Sequence, residues 1–452
     1  MERPMTFDEL KRLIAGGEID TVVAAQTDMQ GRLMGKRFQA EFFIDSAWEE
    51  THSCDYLLAT DMEMTPVEGY ATTGWRTGYG DHIMKPDMST LRRLPWLPKT
   101  ALVLCDVLDH HARDEVPHSP RAILKKQVAR MRGADMIPMT ATELEFFMFR
   151  ESYEDAREKG YRGLSPFSAY NEDYHIFQTA KEEEVMRAIR TGLQGAGVPV
   201  ENTKGEACAG QGEINVRYAD ALATADRHVV VKHACKEIAW MRGRALTFMA
   251  KWGDSAAGSS CHIHQSLRSP DGAPLFYDAD GGMSRMMKSY LAGLLRHAGA
   301  TTLFLAPHIN SYKRFVAGTF APTQAVWSFD NRTAGYRICA SGGESVRVEC
   351  RIGGADLNSY LASAALLAAG LDGVEKEMEL EEEFRGDAYQ NKSRSIPATL
   401  RGAAELFANS EMLRAALGDE VVEHYVRAAR WEQSEYDRRV TDWEIARGFE
   451  RA

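Results

Sequence analysis

Residues 139–148 read Met139-Thr-Ala-Thr-Glu143-Leu-Glu145-Phe-Phe-Met148. The run is strand-like, and side chains on a strand alternate between faces. Glu143 and Glu145 therefore point one way, and Thr142, Leu144 and Phe146 the other. Working outward, three more segments show the same kind of pattern. Ser259-Ser-Cys-His262-Ile-His264-Gln-Ser-Leu267 puts both His on one face, with Cys261 and Ile263 behind. Val346-Arg347-Val-Glu349-Cys-Arg351 puts three ionised groups on one face and Val346, Val348 and Cys350 behind. Lys204-Gly-Glu206-Ala-Cys-Ala-Gly-Gln211-Gly-Glu213 is a Gly-rich approach to a strand, with two Glu.

Taken singly, each segment has an ordinary explanation. Glu-x-Glu on a strand is usually a solvated face, His-x-His a pair at a core edge, and Arg-x-Glu-x-Arg a cross-strand charge ladder. Together they describe a sheet with one apolar face and one face of Glu, His and Arg, whose acids need neutralising. An oxygen-rich set with one or two imidazoles suits Mg²⁺ or Mn²⁺ better than zinc, which favours closed Cys/His tetrahedra. Arg314, Arg332, Arg337, Arg347 and Arg351 suit phosphate and carboxylate groups. Hard cations with an arginine cluster are the usual equipment of phosphoryl transfer. The nucleotide-binding loops are missing: Gly205-x₄-Gly210 is followed by Gln-Gly rather than Lys-Ser/Thr, and neither a serine elbow nor a dinucleotide fingerprint occurs.

The chain has 452 residues, 44% hydrophobic and 26% charged, enough apolar mass for a large core. A formal net charge of −11 argues against nucleic acid as a partner. The seven Cys form no C-x-x-C pair, so neither a disulfide framework nor a zinc finger is indicated. Met1 to Leu13 carries charges where a signal peptide needs an apolar stretch, and the longest apolar run, Leu361 to Leu371, is too short to span a bilayer. The expectation is a cytoplasmic protein with no membrane partner.

Residues 19–40 read as a hairpin turning at Asp28-Met-Gln-Gly31. Residues 51–90 show no period and read as a long functional loop. Ala101 to Asp106 reads as a buried strand, and 107–118 as a linker. Ser119-Pro120 is a helix start. The expected domains are 1–112 and 113–452. Helices are expected at 120–132, 181–197, 219–243, 284–298 and 358–379, and along the charged tail from Pro397. Glu379 to Glu383 reads as a solvated helix end.

In this order the segments resemble the glutamine synthetase family, over nearly the whole chain. Asp28-x-x-Gly31-Arg32 with Gly35-Lys36 resembles its N-terminal hairpin, and Glu143-Leu-Glu145 its first metal strand. Glu206 to Glu213 is similar to its Glu…Gly-Gln-x-Glu motif, and Gly258 to Leu267 to its Gly-Ser…His-x-His-x-Ser-Leu motif. Asn310-Ser-Tyr-Lys-Arg314, Asn331-Arg332-x₄-Arg337 and Arg347-Val-Glu349-Cys-Arg351 complete the set. The resemblance implies an α+β fold, with a small N-terminal β-grasp-like domain and a large catalytic domain built on a curved antiparallel sheet. It implies one metal on Glu145, Glu206 and Glu213, and another on Glu143, His262 and Glu349. His264 and Arg314 would grip glutamate, with Arg351 at its reacting carboxyl end. Arg332 would meet the transferred phosphate, and Arg337 and Arg347 the nucleotide phosphates. ATP is the implied cosubstrate, Mg²⁺ or Mn²⁺ the cofactor, and a homo-oligomer, a dodecamer of two hexameric rings, the assembly. ATP would phosphorylate the glutamate γ-carboxylate, and an amine would attack the acyl phosphate.

Three departures from the family pattern matter. Where bacterial members read Arg-Leu-Val-Pro-Gly-Tyr-Glu-Ala-Pro, this chain reads Arg314-Phe-Val-Ala-Gly318-Thr319-Phe320-Ala321-Pro322. Phe320 thus replaces a Glu that helps bind and deprotonate ammonium. The Asp-Gly-Ser-Ser loop of the ammonium site is absent, and Cys54-Asp55-Tyr-Leu-Leu-Ala-Thr-Asp61-Met-Glu63-Met-Thr-Pro66 stands in its place. The tyrosine that some members adenylylate has no obvious counterpart, Tyr389 being the nearest. The first two departures resemble the subgroup that ligates glutamate to polyamines, ethanolamine or alkylamines. Phe320 offers apolar contact and a π-face to such an amine. Asp55, Asp61, Glu63 and Glu68 add negative charge further out. Asp55 or Asp61 is the candidate base, with Tyr174 lining the same pocket. The alternatives are a glutamine synthetase using ammonia and a non-catalytic structural member of the fold.

Overall fold

The computed structural model describes residues 5–278, 282–340, 343–391 and 394–452. The hairpin forms as its sequence dictates: Thr21–Thr27 (β1) pairs antiparallel with Leu33–Gln39 (β2). Its turn closes because Gly31 adopts a φ of 81°, a conformation glycine takes without strain. Asp28 accepts the Arg32 backbone N–H at 2.8 Å and the Arg32 guanidinium at 2.6 Å. Thr51–Cys54 (β3), Asp81–Pro86 (β4), Arg92–Arg93 (β5) and Thr100–Asp109 (β6) complete a first sheet. Its order is β2-β1-β6-β4-β3, with β5 also on β6. The Phe7–Ala15 helix lays Leu10, Leu13 and Ile14 against Val22, Phe43 and Val103 to form the core of this unit.

Two local expectations are corrected here. Residues 51–90 are not only a loop, because β3 and β4 lie within them and pair at Thr51↔Met84. Both strands are short, and β4 is held by β3 on one edge and β6 on the other, so long-range pairing rather than local pattern makes them. Nor is 107–118 all linker: Val107 to Asp109 finish β6, and Leu108 bridges to Glu115.

The second sheet contains Ile137–Phe149 (β7), Val200–Gly205 (β8), Gln211–Val216 (β9), Ala219–Asp220 (β10), Ala245–Thr247 (β11), Cys261–Arg268 (β12), Trp327–Phe329 (β13), Tyr336–Cys339 (β14) and Arg347–Cys350 (β15). The order is β13-β14-β15-β12-β7-β9-β8, with β10 and β11 also on β7. Within this sheet only β13 and β14, among the described strands, pair in parallel. The apolar face carries Leu144, Phe146, Cys261, Ile263, Val348 and Cys350. These share one core with the helices Ala221–Trp240, Arg285–Leu305 and Ser359–Glu375. The last two helices approach very closely at Gly293 and Gly373, where an added Cβ would meet backbone at 2.2 Å and 2.1 Å. The fold is α+β, with its acidic sheet face left for the site.

The Ser359–Glu375 helix stops short of the expected 379, where Glu377 takes a φ of 47°. Glu379 to Glu383 is therefore not a helix end but an extended strap along β13. The Glu381 carbonyl accepts the Trp327 indole N–H at 3.0 Å, and Glu383 accepts the Phe329 N–H at 3.1 Å. Asn358, just before the helix, donates to the carbonyls of Asp28 and Met29 at 3.1 and 3.2 Å. That contact ties the first sheet's hairpin to the second sheet's main helix. No described helix is long and apolar enough to cross a membrane.

Candidate active site

Strand register, not chance proximity, gathers the polar side chains. Across β8, β9 and β7 the partners run Lys204↔Glu213 and Glu213↔Glu145. Across β7 and β12, Glu143 faces His262. Across β12, β15 and β14, His264 faces Glu349 and Glu349 faces Arg337. Glu206 joins from the connection between β8 and β9. The same-face spacing within each segment thus becomes one continuous polar surface.

Two clusters result. Glu145, Glu206 and Glu213 bring ligating oxygens within 4.8 Å of one another. Glu145 is gripped by Ser260, whose N–H and hydroxyl donate at 2.7 and 2.6 Å. Burial, reinforced by the Glu206 charge, still pushes Glu145 up to about 7. Burial and the Glu143 charge push Glu213 up to about 10, although Lys204 opposes them. One oxygen of Glu213 accepts from Asn215 at 2.7 Å, while the other is buried with no hydrogen-bond partner among the described residues. Three crowded carboxylates with an orphaned oxygen are what a hard dication would satisfy.

In the second cluster, ligating atoms of Glu143, His264 and Glu349 fall within 4.8 Å of one another. His262 reaches the same carboxylates, its Nδ1 lying 3.3 Å from Glu143 and 3.2 Å from Glu349. His264 Nε2 is 3.1 Å from Glu143, so the residue expected to grip substrate also reaches this cluster. Burial and the Arg351 charge lower His262, which favours the neutral imidazole a metal needs. Burial works to raise Glu349, yet His262 and Arg351 hold it at about 2.

The arginines form a rim. Arg351 donates to Glu349 at 2.6 Å and to the Phe320 carbonyl at 3.4 Å. Arg337 bridges Glu349, at 3.0 Å, and Asp330. Arg347 donates to His264 Nδ1 at 3.2 Å. Arg314 is buried, and its two terminal nitrogens donate to the carbonyls of Ile352 and Arg351, at 2.9 and 3.0 Å. Arg332 is exposed, and its charge acts on Asp330. Beside the second cluster a cavity of about 540 Å³ is lined by Glu143, Asn215, Tyr218, His264 and Arg347.

The remaining candidates divide. Phe320 sits on the rim at a φ of 59°, the residue 59% exposed and its carbonyl held by Arg351. Tyr174 is also exposed, and its ring lies 4.5 Å from the Lys204 ammonium. Asp55 and Asp61 join neither cluster in this chain. Asp55 accepts from Thr73, while Asp61 caps the N–H groups of Glu63 and Thr65 and accepts from Trp431 at 3.4 Å. Sequence reasoning assigns no role to Ser260 or Lys204. The Gly-Ser-Ser run before His262 points at the first, and the lysine two residues before Glu206 at the second. Tyr389 is buried at its hydroxyl, close to Phe320 and Arg351.

Fold and site define a class: an α+β protein with two acidic clusters on a mostly antiparallel sheet, rimmed by arginines. The chain belongs to the glutamine synthetase family, whose catalytic-domain profile matches residues 117–448. It is 49% identical over 449 residues to the gamma-glutamylethanolamide synthetase GlnA4 of Streptomyces coelicolor, covering 99% of this chain and 96% of the relative. It is 35% identical over 445 residues to a glutamate–isopropylamine ligase of a Pseudomonas species, covering 97% of each. A solved GmaS/ADP complex superposes with a TM-score of 0.85 at 28% identity, covering 97% of this chain and 99% of that one.

Proposed function

We propose that the chain is an ATP-dependent ligase that joins the γ-carboxylate of glutamate to an organic amine. The observation that carries this reading is the pairing of two acidic cation clusters with an arginine rim that ends at Phe320. The two relatives, one named for an ethanolamide product and the other for an isopropylamine substrate, support it. Glu145, Glu206 and Glu213 would hold one Mg²⁺ or Mn²⁺, and Glu143, His262 and Glu349 the other. When bound, the metals neutralise phosphate charge and orient ATP for in-line transfer.

The remaining chemistry falls to the chain's own groups. A carboxylate is a poor electrophile. Its oxygen therefore first attacks the γ-phosphorus of ATP, ADP leaves, and a γ-glutamyl phosphate forms. Arg332, Arg337 and Arg347 would take the charge of the transferred group and the nucleotide phosphates. His264 and Arg314 orient glutamate, and Arg351 sits at its reacting end. The amine nitrogen then attacks the acyl carbon, phosphate leaves, and a base takes the amine proton. Asp55 or Asp61 is our candidate base. Because neither joins a cluster in its own chain, it would act on a neighbouring subunit's site. A homo-oligomer with shared sites, of the family's two-ring form, is part of the proposal, as is a cytoplasmic location. The seven thiols are all free, as a reducing compartment requires.

The acyl-phosphate step has a direct test. ATP labelled with ¹⁸O at the β,γ-bridge is incubated with glutamate and Mg²⁺ but no amine. Positional scrambling that needs glutamate is expected. Amide formation with no scrambling under any condition would contradict the two-step route.

A further inference from the structure

Lys204 lies in β8 directly opposite Glu213 of β9. Its ammonium pairs with Glu206 and stands 3.9 Å from the orphaned oxygen of Glu213. On its other side Asp173 lies 3.6 Å away, and the Tyr174 ring centroid 4.5 Å away. One lysine thus stands between two seats. The inner seat is built from two ligands of the first cluster. The outer seat is a carboxylate and an aromatic face.

We propose that Lys204 is a tethered cation that competes with the first divalent metal for Glu206 and Glu213, and that it passes to Asp173 and Tyr174 when the metal binds. The proposal rests on the metal-ligase reading above. Its physical basis is charge. Three ionised carboxylates carry three negative charges, and a dication cancels two of them. The third is met by an ammonium that stays nearby but off the metal's ligand oxygens, because two cations sharing one partly buried carboxylate repel strongly. Lysine suits this role because it is a compact charge on a flexible stem, and its donors can be redirected by rotating that stem.

The outer seat is built to receive it. Tyr174 adopts a φ of 56°, in the left-handed region that is uncommon for a residue other than glycine, and the residue is 68% exposed beside the lysine. A ring face attracts a cation, and the Asp173 carboxylate adds a charge partner. Tyr174, expected as part of the amine pocket, is on this account the lysine's second seat. Metal occupancy is thereby coupled to the 173–174 turn. A purely structural Lys204 would brace the β8–β9 hairpin, and its loss would weaken the fold without tightening metal binding.

Binding of Mn²⁺ to the full-length protein, without nucleotide, is measured from the electron paramagnetic resonance signal of free Mn²⁺. Wild type, Lys204→Met, Lys204→Arg and Asp173→Asn are compared. Lys204→Met is expected to bind about tenfold more tightly at one site. Lys204→Arg, which keeps the charge, should stay close to wild type, and Asp173→Asn should bind more weakly. Equal or weaker binding by Lys204→Met would overturn the proposal. Should that variant fail to fold, unchanged affinity in Asp173→Asn would overturn it. Failure of the wild type itself to bind Mn²⁺ would instead overturn the metal-site reading beneath it.

Discussion

Glu213 faces Glu145 across one strand pair and Lys204 across the other, and burial has pushed its carboxyl up to about 10. An acid held so far from its ordinary value is costly to ionise unless a cation offsets that cost. Glu213→Gln should therefore lower turnover by about 10²–10³-fold or more. The metal-free variant should nevertheless unfold at about the same temperature as wild type at pH 8, because the buried acid, held at about 10, is already neutral there and Gln is its neutral isostere. Steady-state kinetics and thermal melts check both halves, and undiminished turnover would contradict the assignment. At this scale much of the site was legible. Glu143 with Glu145, His262 with His264, and Arg347 with Glu349 and Arg351 each declare their shared face by two-residue spacing. Lys204 did not, because its role depends on which strand lies opposite β8, and spacing along one segment carries no such information.

Elements were legible where the period was sustained. β7 alternates as far as Leu144, beyond which it is buried on both faces, and the Pro120–Gly133 helix starts at the proline although the Ser119 side chain makes no cap hydrogen bond, whereas β3 and β4 exist only through partners distant in sequence. The β8–β9 hairpin that delivers Glu206 has its own hidden support. Under Gly205 lies Glu172, whose carbonyl an added Cβ would meet at 2.5 Å. Glu172 is fully buried, and Glu182 is 4% exposed beside it. Burial, then the neighbouring Glu172 charge, pushes Glu182 up to about 8. A folded value above the ordinary one means that the stabilising contribution is complete below about 4.5 and is lost as pH rises through about 8. Glu182→Gln copies the protonated form. Its unfolding midpoint should match wild type at pH 5 and exceed it at pH 9, with thermal melts at the two pH values as the check. A variant equally destabilised at both would contradict the raised, protonated state of Glu182.

At the scale of the molecule, Asn358 clamps the first sheet to the second, yet the Asp55–Asp61 segment that the first sheet carries meets neither cluster of its own chain. If that segment completes a neighbour's site, activity should fall on dilution as the assembly dissociates. A monomer in the ultracentrifuge that retains full activity would contradict it. The family and the catalytic sheet were readable from seven ordered motifs. The reach of one chain into another is suggested only by the resemblance and the long 51–90 segment, since contacts between copies leave no periodic mark in the sequence. Choice of amine is the property that joins all three scales: Phe320 on the rim, the 54–66 segment, and the assembly that would bring them together. The most direct measurement is kcat/KM for phosphate release with ATP, Mg²⁺ and glutamate, across ethanolamine, alkylamines, polyamines and ammonium. The best organic amine is expected to exceed ammonium by about tenfold or more, with the matching γ-glutamyl amide found by mass spectrometry. Ammonium used as well as the best organic amine, with glutamine as the product, would contradict it.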